Sequence, residues 1–156
     1  SNTLKSNILS YLSEYKMIND FIDIVSGEVI DLGLEIDLNI DKNANQTDII
    51  QTVINDVITY FDYTKRKMGD PLFVGDLSKS IGNVSGVVNV VDLRVFGKIG
   101  GEYSSSEVSQ SYKDNATKEI QQSDNTIFMK SNQIFQIRFP NKDIKIRIKT
   151  LGTTTF

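Results

Sequence analysis

Residues 30–41 read I-D-L-G-L-E-I-D-L-N-I-D, and this run limits the possible folds more than any other part of the chain. Ile30, Leu32, Leu34, Ile36, Leu38 and Ile40 share one parity, and Asp31, Glu35, Asp37, Asn39 and Asp41 share the other. Successive side chains of a strand point to opposite faces, so the pattern predicts a long strand over 29–41 with one aliphatic and one acidic face. A slip of one residue would bury the carboxylates and expose the aliphatics, which fixes the register. Gly33 breaks the acidic parity and marks a bulge. Such a strand organises a sheet, and the open question is whether its acidic face serves chemistry, solvation or docking.

The chain has no histidine and no cysteine. That removes Ser-His and Cys-His pairs, an imidazole base near neutrality, imidazole or thiolate metal ligands, and disulfides. Catalysis would have to rest on carboxylates, Lys, Arg and Tyr. With 17 basic against 20 acidic residues, the bulk charge is not that of a nucleic-acid or membrane-surface protein. No apolar run approaches the roughly 18 residues of a membrane span, and no secretory signal opens the sequence. Its length, 156 residues, suits one domain over 1–156. Ser1-Asn2, followed at once by helical pattern, reads as the start of a C-terminal piece cut from a longer protein.

Along the chain, Leu4, Ile8, Leu12 and Tyr15 recur at helical spacing and predict an amphipathic connector helix over 1–17. Phe21-Ile22-Asp23-Ile24-Val25 is strand-like, and Ser26-Gly27 turns the chain. After the strand at 29–41, Thr47 caps a helix whose apolar stripe is Ile50, Val53, Ile54, Val57 and Phe61. Its end carries Lys65, Arg66 and Lys67, and Gly69 with Pro71 stops it. Leu77 and Ile81 mark a two-turn helix ending at Gly82. Residues 87–96 form a β-branched strand, with Val91, Leu93 and Val95 on one face and Asp92, Arg94 and Phe96 on the other.

Composition changes over 97–132, where Ser, Asn, Gln and Lys dominate. A polar stretch of this length inside a domain is either a floppy excursion or an ordered arm packed on a neighbour. Order resumes with Gln133-Ile134-Phe135-Gln136-Ile137-Arg138-Phe139. Pro140-Asn141-Lys142-Asp143 reads as a reversal, and Ile144-Lys145-Ile146-Arg147-Ile148-Lys149 alternates again, which predicts a terminal β-hairpin. The expected fold is α+β: a mainly antiparallel sheet with helices packed on one face, a terminal β-hairpin and a long polar insertion.

Three chemistries are open to these residues. Glu35 and Asp37 lie two apart on one face, roughly 7 Å between Cα atoms, close enough to share a cation, although no calcium-loop motif follows. Phe135 and Phe139 beside Lys145 and Arg147 could stack bases, but the RNA-recognition signature is missing and the phenylalanines fit a core. Tyr63, Lys65 and Arg66 beside Asp70 are explained by helix-end electrostatics. No glycine-rich phosphate loop occurs. The structural reading takes Asp31, Glu35 and Asp37 together with Lys145, Arg147 and Lys149. If their strands are neighbours, opposite charges pair across the sheet, each pair contributing about 0.2–1 kcal/mol; otherwise each strand presents a solvated charged face.

From 53 to 95 the chain runs V-I-N-D-V-I-T-Y-F, then G-D-P-L, then D-L-S-K-S-I, then V-S-G-V-V-N-V-V-D-L-R-V. This succession resembles the C-terminal domain of baseplate J-like proteins, components of contractile phage tails and related injection machines. The stretch N-T-I-F-M-K-S-N-Q-I-F-Q-I-R-F-P-N-K-D-I-K-I-R-I is most similar to the T-even-type wedge branch of that family. The resemblance implies a structural wedge component of the virion's tail baseplate that dimerises and helps build the ring around the hub. Its partners would be a second copy and other wedge and hub subunits, with no nucleic acid, membrane, cofactor or catalytic residue. Gly86-Val87 and Gly69-Pro71 match only as turn and strand-entry positions. The insertion at 97–132 is longer than the family pattern needs.

Overall fold

The computed structural model describes residues 2–13 and 27–150. The central strand, β1 (Glu28–Ile40), runs between neighbours on both sides. Its six aliphatics Ile30 to Ile40 are all buried, as the alternation predicts, each contributing about 1.5–3 kcal/mol relative to exposure. On one side lies β3 (Val87–Gly97), antiparallel, with Ile36 opposite Leu93 and Leu34 opposite Val95. Beyond β3 the sheet continues through β5 (Glu119–Ile120) to β4 (Tyr112–Asp114). On the other side stand β7 (Gln133–Gln136), against Glu28–Asp31, and β8 (Ile144–Thr150), against Leu34–Ile40.

Both β7 and β8 are parallel to β1, so the expected terminal hairpin does not form. Pro140–Asp143 is one helical turn, α4, with proline at its start where the missing N–H is tolerated. That turn offsets the chain and returns it to the same edge in the same direction. Alternation identified two strands here but carries no information on their direction. The fold is α+β with a mixed, mostly antiparallel sheet.

The helices cover the aliphatic face. Helix α2 (Gln46–Tyr60) buries Ile49, Val53 and Val57, and α3 (Val74–Gly82) buries Val74, Leu77 and Ile81, all in one core with β1. The cap of α2 is Asn45, not Thr47: its carboxamide oxygen accepts from the N–H groups of Thr47 and Asp48 at 3.0 and 3.3 Å. The helix also ends earlier than its stop signals predict. Asp62 caps a separate 3-10 turn, Tyr63–Lys65, whose side-chain acceptor captures the Thr64 N–H, so the lysines and arginine after residue 64 lie beyond the helix. Arg66 instead lies over the Tyr60 and Phe135 rings at 4.3 and 4.2 Å.

Two further expectations change within the sheet. Gly33 is not a bulge, since its register with β3 is unbroken. A Cβ there would lie 3.3 Å from the Asp143 carbonyl oxygen, tighter than an ordinary contact, and 2.7 Å from Lys98 Cε, the flexible end of a side chain that can move aside. The bulges lie in β3, where Val91 and Val88 have no partner on β1. Inserting Val91 moves Val90, not Val91, to the inward side opposite Leu38, leaving Val91 52% exposed.

Residues 97–132 are an ordered arm folded back on their own domain, with β4, β5 and β6 (Thr126–Ile127) inside it. Strand β6 pairs with β2 (Leu72–Phe73), burying Leu72 against Ile127. Helix α1 (Asn2–Ser13) matches the expected opening helix, while Tyr15, Met17 and the strand-like run at 21–25 lie outside the described residues.

Candidate interface on the charged face of the sheet

The parity that points away from the helices carries Asp31, Glu35 and Asp37, and the neighbouring strands decide what each one meets. Since β8 runs beside β1, Lys145, Arg147 and Lys149 stand opposite Glu35, Asp37 and Asn39. Of these, Arg147 makes the cross-strand pair: Nε and Nη2 donate to the two Asp37 oxygens at 2.9 and 3.3 Å. A two-point contact of this kind is directional as well as electrostatic. Lys145 and Lys149 form no ion pair among the described residues, and both are exposed.

Lys145 has no carboxylate to itself because Arg94 of β3 claims Glu35 from the other side. Arg94 Nε donates to Glu35 at 3.2 Å, Nη1 lies 3.0 Å from Asp92, and Nη2 lies 3.2 Å from Glu35 and 3.5 Å from Asp37. Nη2 is attracted by both carboxylates and hydrogen-bonded to neither. The arrangement has a clear cause in the register, which sets Asp37 directly opposite Asp92. Like charges facing each other in a sheet repel, and the guanidinium beside them offsets that repulsion. Pairing β8 with β1 leads from Arg94 through Asp37 to Arg147, so one charge ladder crosses three strands.

Asp31 departs from the expectation of an acidic surface. It is only 1% exposed, and no cation pairs with it among the described residues. Its two oxygens accept from the Ser104 N–H and the Gln136 amide, each at 2.7 Å. Both donors are contributed from far along the chain, so the carboxylate ties the arm and β7 to the start of β1. A buried carboxylate with good donors on both oxygens avoids the penalty of an unpaired one.

Beside it, the break between β7 and β8 makes a second tie that spacing alone did not indicate. Asp143, 3% exposed, accepts from the Tyr103 hydroxyl at 2.9 Å through Oδ1, while its Oδ2 is buried without a partner. Burial raises the Tyr103 hydroxyl to about 12, with the Asp143 hydrogen bond and the nearby charges of Asp143, Glu102 and Asp31 acting the same way. The Tyr103 ring also meets Phe139 edge-on at 5.6 Å. A third tie is the fully buried Gln133, which donates to Glu28 and to the Glu107 carbonyl at 3.0 Å each and accepts from the Lys130 N–H at 2.9 Å.

Among the described residues, no group of three or more Asp or Glu side chains is placed to hold a metal ion. Glu35 and Asp37, the pair that could have shared one, share a guanidinium. Phe135 is core, fully buried and edge-on to Phe61 at 5.3 Å. A cleft of about 670 Å³ lies between the start of α3, residues 90–94 of β3 and the arm around Gln121 and Gln122. Gln122 crosses it to donate to the Leu93 carbonyl at 3.2 Å. No described helix is long and apolar enough to cross a membrane. Neither protein-family models nor curated proteins give a match to the sequence.

Proposed function

We propose that this chain is a non-enzymatic assembly module, a wedge-type structural component of a contractile phage tail baseplate that self-associates and contacts other wedge and hub subunits in the virion. The observation that carries the reading is the fate of the carboxylates. Glu35, Asp37 and Asp92 are gathered by Arg94 and Arg147, and Asp31 ties two distant segments to β1. In these positions the carboxylates hold strands together, and a general base or cation ligand would need one of them released. The likeness of residues 53–95 and 125–148 to baseplate J-like domains supports the same reading, and so does the absence of histidine and cysteine from the chain.

Sedimentation velocity run across concentration tests it. Self-association that increases with concentration is expected. A strict monomer at high micromolar concentration would overturn the assembly role. Calorimetric titration with Mg²⁺, Ca²⁺ and Mn²⁺ is expected to give no heat, and saturable binding would favour a metal-dependent domain.

A further inference from the structure

We infer that the outer edge of β8 is a docking site for an extended segment of another protein, one that alternates aliphatic and acidic residues and adds to the sheet as a further strand. The inference names a partner chemistry for the assembly role proposed above and rests on that role.

Three observations support it. First, β8 pairs with β1 and with no other described strand, so among the described residues the main-chain groups on its far side form an open edge seven residues long. An open edge is a template for an incoming strand. Second, its polar face is electrostatically incomplete. Arg147 is matched by Asp37, whereas Lys145 stands opposite a glutamate already held by Arg94 and Lys149 opposite an asparagine. Two uncompensated cations therefore flank a compensated one at alternate positions. A strand with carboxylates four residues apart would meet both.

Third, the aliphatic face is incomplete on the same side. Ile144 is buried, but Ile146 and Ile148 are only partly covered although they pack on the core. An added strand with aliphatic residues between its carboxylates would cover their open flank. The fold already contains such a partner on the inner side of β8, because β1 has this alternation. The outer edge asks for the same chemistry again.

The lysines also decide what does not dock. A second copy of β8 would bring Lys145, Arg147 and Lys149 against the same residues, and like charges directly opposite are destabilising. The edge therefore rejects its own kind and admits an acidic strand, which is specificity by repulsion as much as by attraction.

Fluorescence anisotropy with a short peptide alternating valine and glutamate tests this, against a valine–lysine peptide and a valine–glutamate peptide N-methylated at alternate amides. The glutamate peptide is expected to bind, more weakly as salt is raised. The Lys145→Gln/Lys149→Gln double variant should bind about tenfold more weakly, as two lost cross-strand charge pairs imply. Its unfolding transition, measured in parallel, should match the wild type because both lysines are exposed and form no ion pair among the described residues. The Lys145→Glu/Lys149→Glu variant should prefer the lysine peptide. No binding of the glutamate peptide, or equal binding of the lysine peptide to wild type, would overturn the inference. Equal binding of the N-methylated peptide would also overturn it, by showing attraction without strand addition. A chain that self-associates in sedimentation yet ignores the peptide would refute this inference and leave the assembly role standing.

Discussion

At the scale of single residues, the most consequential side chain is Arg94. Alternation placed it correctly on the polar face of β3, but nothing in the spacing said that β3 would set Asp92 opposite Asp37. Removing the cation leaves three carboxylates close together on a partly shielded face. The Arg94→Met variant should be destabilised by about 1–2 kcal/mol, between the values for exposed pairs and for buried ones. Adding Asp92→Asn should recover part of that loss, because it removes one member of the like-charge pair. Urea unfolding of the two variants checks both statements, and equal stability of wild type and Arg94→Met would show that the ladder contributes nothing. Asp31 and Asp143 were harder to read. In the sequence Asp31 is one more member of an acidic face until Ser104 and Gln136 close over it, and Asp143 has the character of a turn residue.

At the scale of elements, β1 and α3 were legible almost residue for residue, since burial follows the period of each. The short pieces were not. Strands of two or three residues, such as β2, β4, β5 and β6, offer no period to detect and exist because longer elements hold them. Strand β3 lies between these cases: Leu93 and Val95 fit a simple alternation, but the bulge at Val91 reverses the parity beyond it. This predicts an asymmetry between deletions. Removing Val91 takes out a residue with no partner and leaves every β1–β3 pair in place, so that variant should fold with a loss of about 1 kcal/mol or less. Removing Glu35 from β1 has no such escape, because Ile36, Leu38 and Ile40 would turn to the polar face and the domain should not fold. Circular dichroism and thermal melting of the two deletions distinguish them.

For the whole molecule, the arm at 97–132 is the part that the sequence leaves most open. Its polar composition fits a floppy excursion equally well, and its order comes from strand pairing with β2 and β3, from the buried Ile120 and Ile127, and from side-chain ties at Asp31, Asp143 and Gln133. One of these ties responds to pH. Tyr103 keeps its proton up to about 12 in the fold, against an ordinary value of 10, so its contribution is fully present below pH 10 and is lost as the pH rises through 12. Tyr112 shifts in the same direction through burial and its bond to Glu107. In Tyr103→Phe only the Tyr112 part remains, so stability should fall less steeply between pH 10 and 12 than in wild type. Thermal denaturation across that range measures the difference, and parallel curves would show that the Tyr103–Asp143 tie does not anchor the arm.

The parallel placement of β8 also has a consequence in time. Asp37 and Arg147, joined side by side in the sheet, are 110 residues apart in the chain. During synthesis β1 emerges before every strand it pairs with, its aliphatic face and both edges bare, and the strand that covers the far half of one edge is among the last parts of the described chain to be made. Pairings of such long range are slow to form, because a large loop must close before they add any stability. The domain therefore completes its sheet only after nearly all of it has left the ribosome. Until then its most strand-prone segment is open to pairing with the wrong neighbour, and the charges along its polar face oppose that.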